Sequence, residues 1–204
     1  MLPTREEAQR LLKEAERLNP GPWGDHSRTV AYCAEKIAAV CPELNSEKAY
    51  ILGLLHDIGR YAGVRHLGHV SDGYRYMMSL GYDEAAKICL THSFHRCALD
   101  DYIGQVDTTP EETALIEKEL KRVTLDDYDR LIQLCDAISG AEGVMDIEDR
   151  MADVKRRYGS YPQEKWDANL HLKRYFEDMA GDTDLYILVE KNTFHPVTNE
   201  MGQA

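Results

Sequence analysis

His56 and Asp57 stand side by side in Leu54-Leu55-His56-Asp57-Ile58-Gly59, at the end of an apolar run that starts at Tyr50. Imidazole nitrogen with carboxylate oxygen suits Zn, Mn, Fe, Ni or Co better than Ca, which prefers all-oxygen shells. Consecutive residues on a helix diverge by about 100°, so both side chains reach one ion only if it lies beside the last turn. The pair alone is also compatible with a plain helix end, its polar groups meeting exposed carbonyls or solvent. A hydrolytic metal site needs several converging ligands and open positions for water and substrate. His26, in Gly24-Asp25-His26-Ser27-Arg28, and Asp136, in the apolar frame Leu131 to Ile138, are candidates for that convergence. A carboxylate inside such a stripe is costly to bury unless paired or metal-bound. Capping of a neighbouring helix, or an arginine partner, would also account for Asp136.

The elements that must carry these residues read as helices. Thr4 and Glu7 have capping-box spacing, and Ala8, Leu11, Leu12, Ala15 and Leu18 follow at helical intervals. A second helix is expected from about Asp25 to Val40, and a third from Ser46 to Gly59. Tyr61 to Gly68 reads as irregular, and Val70 to Leu80 as the next helix. Asp83 is expected to cap a helix reaching His92 or His95, with a loop from Ala98 to Thr108 that is long enough to act as a lid. Thr109-Pro110-Glu111-Glu112 is a start signal for a helix to about Arg122. Thr124 opens another, ending near Gly140, and two more cover about Ile147 to Tyr158 and Gln163 to Met179. Asp184 to Val189 suits a short helix or a strand, and the tail after Lys191 reads as coil. With no repeat and no strand alternation, the chain is expected to be all-α.

The chain has 204 residues, 43% of them hydrophobic and spread throughout, enough for one domain with a sizeable core. No apolar run approaches bilayer-spanning length, and no signal-peptide pattern opens the chain, so a cytoplasmic location without membrane association is expected. Cys33, Cys41, Cys89, Cys97 and Cys135 form an odd set without C-x-x-C spacing, read as reduced thiols. The formal net charge of -12 opposes binding to nucleic-acid backbones. A small phosphorylated molecule remains accessible to an acidic protein if metals and a few cations neutralise it.

The ordered segments DHSRTVA, LLHDIGR and LIQLCDAIS, at residues 25–31, 54–60 and 131–139, closely resemble the HD superfamily of metal-dependent phosphohydrolases. The resemblance implies a compact helical bundle with a core over about 22–140, a C-terminal helical extension over about 141–190, and a single domain over 1–204. It implies that His26, His56, Asp57 and Asp136 hold one metal. HVSDGYRYMMSLGY and ICLTHSF resemble the segments supplying second-metal ligands, implying that His69 and His92 join and that Asp57 bridges two ions about 3.5–4 Å apart. Where several relatives have adjacent histidines this chain has His92-Ser93, which leaves His95 as a substitute or substrate contact and His66 as a further candidate.

The implied activity is hydrolysis of a small phosphorylated metabolite, with a nucleotide the expected class, by one or two divalent ions (Fe, Mn, Ni, Co or Zn, with Mg allowed) activating water. His56 and Asp57 are the expected catalytic centre, and Arg60 the expected phosphate clamp. Arg28, Arg65 and Arg96 are further cations on the same segments. The alternatives are a di-iron oxygenase of the same fold and a non-catalytic metal- and nucleotide-binding module. Oligomeric state is left open. YRYMMSLGY reads as core packing rather than a base-stacking wall, and DRMADVKRRYG, residues 149–159, as a solvated helix face.

Overall fold

The computed structural model describes residues 1–191; the expected coil after Lys191 lies outside them. Ten α-helices run in order: α1 Arg5–Leu18, α2 Trp23–Ala38, α3 Ser46–Leu55, α4 Gly68–Ser79, α5 Asp83–Thr91, α6 Pro110–Leu120, α7 Asp127–Ala137, α8 Ile147–Tyr158, α9 Gln163–Met179 and α10 Leu185–Leu188. Two-residue strands β1 (Ser139–Gly140) and β2 (Gly143–Val144) pair antiparallel after α7, a minor exception to the all-helical expectation. The fold class is all-α.

The caps explain most boundaries. Thr4 accepts from the amide of Glu7, and Thr109 and Glu112 form the reciprocal capping box their spacing predicts. Three boundaries differ from the sequence expectation. α7 starts from Asp126, not Thr124, because Asp126 and Asp129 make a second capping box. Asp83 lies inside the first turn of α5 instead of capping it. α3 stops at Leu55 and not at Gly59; His56 ends it, and a 3₁₀ turn occupies Ile58–Ala62. Asp184 caps the short α10, which settles DLYILV as helix.

The main core joins α1, α2, α3, α5, α7 and the inner faces of α8, α9 and α10; Val30, Cys33, Leu55, Ile58, Leu134 and Phe176 are fully buried in it. A smaller cluster of Leu67, Val70, Leu90, Phe94, Ile116 and Leu120 lies under α6. Two glycines set the helix spacing that the site needs. A Cβ on Gly53 would sit 2.9 Å from the Cα of Ala31, so α3 can press against α2 only with hydrogen there. A Cβ on Gly59 would fall 1.9 Å from the carbonyl oxygen of His69, so the turn after Asp57 reaches α4 only because that position is bare. The five cysteines are free, and no helix is long and apolar enough to cross a membrane, among the described residues.

Candidate metal centre

His56 and His92 occupy the same local position, the residue that ends a helix, on α3 and α5 respectively. The last carbonyls of a helix lack intrahelical partners, and each imidazole uses them. The Nδ1 of His56 lies 2.7 Å from the Gly53 carbonyl; that of His92 lies 3.0 Å from Cys89 and 3.2 Å from Ile88. His69, near the start of α4, likewise directs Nδ1 to the His66 carbonyl. Nδ1–H donation to a carbonyl leaves the Nε2 lone pair facing away from the helix, the arrangement that orients metal-ligating imidazoles.

The three Nε2 atoms converge on Asp57. Its Oδ1 lies 3.1 Å from Nε2 of His69 and 3.6 Å from Nε2 of His92; its Oδ2 lies 3.9 Å from Nε2 of His56. The His69 and His92 Nε2 atoms are themselves 3.2 Å apart. On the other side, Nε2 of His26 on α2 is 3.0 Å from Oδ1 of Asp136 on α7, and the His26 ring meets His56 edge-on at 5.2 Å. Two groups are close enough to share an ion: His26, His56 and Asp57, and Asp57, His69 and His92. Asp57 belongs to both.

Electrostatics fit that use. Burial pushes the His56 imidazole down, and His92 down to about 3, so both are neutral and able to ligate. Burial acts to raise Asp57 and Asp136, but opposing charges win. Arg60, then His56 and His69, hold Asp57 well below its ordinary value, and the hydrogen bond with His26 lowers Asp136. The Nε2 of His56 and the Oδ1 of Asp57 are buried without a hydrogen-bond partner among the described residues. Lone pairs left without a hydrogen bond in the interior are costly; a divalent cation held by each of them removes that cost. The residues therefore fit a metal.

The centre opens into a cavity of about 920 Å³, walled on the far side by α8 and α9. Arg60 reaches it with Nε held by Asp57, and no acceptor among the described residues engages its two Nη groups. The other arginines considered from sequence are engaged elsewhere: Arg28 by Glu16 and Asp25, Arg65 by Asp72 and Glu112, Arg96 by Asp101. His66 stays outside both groups and directs its ring toward Tyr158. His95 lies in the cavity wall, but Nε2 is 2.9 Å from the Asn169 amide oxygen, and it joins neither group.

Two sequence readings need correction or completion. DRMADVKRRYG is more than a solvated face, since Arg150, Asp153, Arg157 and Tyr158 line the cavity. Lys165 and Asn169 on α9, and Tyr102 and Ile103 from the 98–108 loop, also line it. The spacing of Lys165 and Asn169 puts them on one helical face, but nothing in the sequence pairs that face with His56. YRYMMSLGY contributes Met77 to the core, and none of its residues lines the cavity.

A helical bundle with paired imidazole and carboxylate groups closing around one aspartate defines a class of metal-site proteins. The family model of the HD domain matches residues 23–141, and the chain belongs to that family. HD domains bind divalent metals, and their family is in general one of metal-dependent hydrolases. No curated protein and no solved structure matches the chain.

Proposed function

We propose that the protein is a divalent-metal-dependent phosphohydrolase acting on a small phosphorylated metabolite, with nucleotides the leading class. The carrying observation is Asp57, whose Oδ1 is buried and unpartnered between the imidazoles of His69 and His92 while its other oxygen faces His56 and Arg60. In this reading His26, His56, Asp57 and Asp136 hold one ion, and Asp57, His69 and His92 a second. Divalent ions there supply Lewis acidity and a water acidic enough to act as nucleophile near neutral pH.

The chain's own residues do the rest. Arg60 fixes the Asp57 carboxylate through Nε and leaves its Nη groups for two phosphoryl oxygens, the bidentate fit of a guanidinium. Asp136 orients His26. The helix-end carbonyls lock the tautomers of His56 and His92. The cavity has room for a nucleotide-sized molecule, and the acidic chain disfavours a polymeric nucleic acid. Cytoplasmic action on a free metabolite is part of the same proposal.

The di-iron oxygenase alternative would use the same six residues. What favours a phosphoanion is the cationic lining, with Arg60 at the centre and Lys165 in the opposite wall. Anaerobically purified protein loaded in turn with Mn, Co, Ni, Fe, Zn and Mg is assayed for phosphate release across phosphoesters and nucleotides. Release is expected with at least one metal and is lost in His56→Ala and Asp57→Ala. Iron-dependent oxygen consumption with no phosphate release from any member would overturn the proposal.

A further inference from the structure

Four lysine and arginine side chains line the cavity: Arg60, Arg150, Arg157 and Lys165. Arg60 is paired with Asp57, and both Arg150 and Arg157 with Asp153. Lys165 alone among them has no carboxylate within ion-pair distance among the described residues. Its Nζ lies 2.7 Å from the carbonyl of Ser93 and 2.8 Å from the carbonyl of Asp101. The carboxylate of Asp101 is turned to the side chain and amide of Arg96.

An ammonium group has three N–H donors and no acceptor. Two are used by the carbonyls, which hold the nitrogen in place and leave one donor uncommitted. Burial pushes the Lys165 amine down to about 8, so it is still mainly cationic at neutral pH. A partly desolvated cation with no carboxylate in contact is an unfavourable arrangement unless an anion arrives. Its position is relevant to the centre, since the Ser93 carbonyl that it holds directly follows His92, and Lys165, His92 and Asp136 line the same cavity. His95 is neutral beside it: burial, and then the charge of Lys165, push the imidazole down to about 4. Arg96, the other cation close enough to act on Lys165, is engaged by Asp101 and does not line the cavity; Lys165 lies on α9, beyond the 23–141 match to the HD domain.

We propose that Lys165 forms a second oxyanion subsite, which binds a phosphoryl or carboxylate group of the substrate other than the one at the metal centre. The inference rests on the phosphohydrolase reading for the identity of the group at the centre. It narrows the substrate to molecules with two separated anionic groups. The α8–α9 extension thereby acts as a selectivity wall, because a simple monoanionic phosphoester would leave Lys165 without a partner.

The test needs no turnover. Manganese-loaded protein is titrated calorimetrically with propylphosphonate and with its bisphosphonate counterpart, in which a second phosphonate replaces the far methyl group. Wild type is expected to bind the bisphosphonate at least about tenfold more tightly. Lys165→Met should erase that preference while leaving propylphosphonate affinity and bound manganese unchanged, and Lys165→Arg should keep most of it. Equal affinities in wild type would overturn the subsite whatever the variants do. So would a Lys165→Met protein that melts lower but retains the preference, the result of a purely structural brace between carbonyls. Absence of binding by either phosphonate to metal-loaded wild type would instead overturn the phosphohydrolase reading, and the subsite with it.

Discussion

The amide nitrogen of Gln133, buried on α7, lies 3.0 Å from the carbonyl of Thr91, the last residue of α5. The same nitrogen is 3.3 Å from the Phe94 carbonyl, so α7 satisfies the carbonyls that flank His92. Nearby, the buried Asp129 joins Lys87 and Thr91, bracing α5 against α7. Gln133→Leu keeps the volume and removes the donor. It is expected to cost about 1–3 kcal/mol, the penalty of unpaired buried carbonyls, and to weaken binding of the ion that His92 serves. Urea unfolding and metal titration check both; unchanged stability would mean that water replaces the amide without loss.

If each of the two groups holds an ion, as proposed, their sharing of Asp57 makes the ions separable by mutation. His69→Ala and His92→Ala should each lower bound metal by one equivalent, whereas Asp57→Asn should lose both. His26→Ala or Asp136→Asn should affect the first ion while leaving the second measurable. Metal-to-protein ratios from elemental analysis decide this. Full retention of two ions in Asp57→Asn would refute the bridging role.

Arg60 separates substrate handling from metal binding. Arg60→Gln is expected to keep the metal content near wild type, since a guanidinium offers no lone pair to a metal, but to lower phosphate release by about 100-fold, as removal of a charge-stabilising donor commonly does. Arg60→Lys should recover only part, because one ammonium cannot both hold Asp57 and bind two phosphoryl oxygens. Steady-state assays beside metal analysis provide the check, and loss of metal in Arg60→Gln would reassign the residue to supporting Asp57 alone.

Gly59 controls the distance between the turn that carries Asp57 and the start of α4. Gly59→Ala places a methyl group against the His69 carbonyl and should destabilise by about 1–3 kcal/mol or more, the usual range for overpacking. Affinity at the His69 side should fall with it. A melting temperature and metal stoichiometry equal to wild type would show that α4 moves away freely.

Acid should destabilise the metal-free protein through its buried neutral histidines. His95 titrates near 6.5 when unperturbed and near 4 when folded, because of burial and Lys165. Between those values the unfolded chain binds the extra proton, so stability falls as pH drops through that window and is regained as pH rises. The contribution amounts to at most about 3 kcal/mol. His92, pushed to about 3, acts in the same direction, so the readout is the difference between wild type and His95→Gln. The variant should show a shallower loss of unfolding free energy from about pH 6.5 to 4. Parallel pH profiles would contradict a neutral, half-buried His95.

His26, His56, Asp57 and Asp136 were legible as candidates in their local frames, whereas His69 and His92 were singled out by the resemblance of their segments to those of HD-family proteins. An apolar helix ending in His56-Asp57, a carboxylate within the stripe of α7, and capped helices between them are all short-range patterns. The helical fold was legible for the same reason, as capping boxes and 3.6-residue periodicity depend on neighbours a turn away. Where competing caps lay close together, as with Thr124 and Asp126, the pattern did not decide, and the reciprocal bonds of Asp126 and Asp129 did.

What only the tertiary structure decided concerns contacts between segments distant in sequence. The end of α3 at Leu55 frees Asp57 from helical geometry, so its carboxylate can turn between His56, His69 and His92; that depends on Gly59 meeting α4. The cavity's far wall depends on α8 and α9 folding back over the centre, which places Lys165 opposite Arg60, 105 positions apart in sequence. Sequence by itself, with the family resemblance it carries, determined which residues could ligate and near which helices they lie. The packing of those helices determined which ligand atoms converge and which lining cation has no carboxylate partner among the described residues, because both follow from through-space distances that no local periodicity encodes.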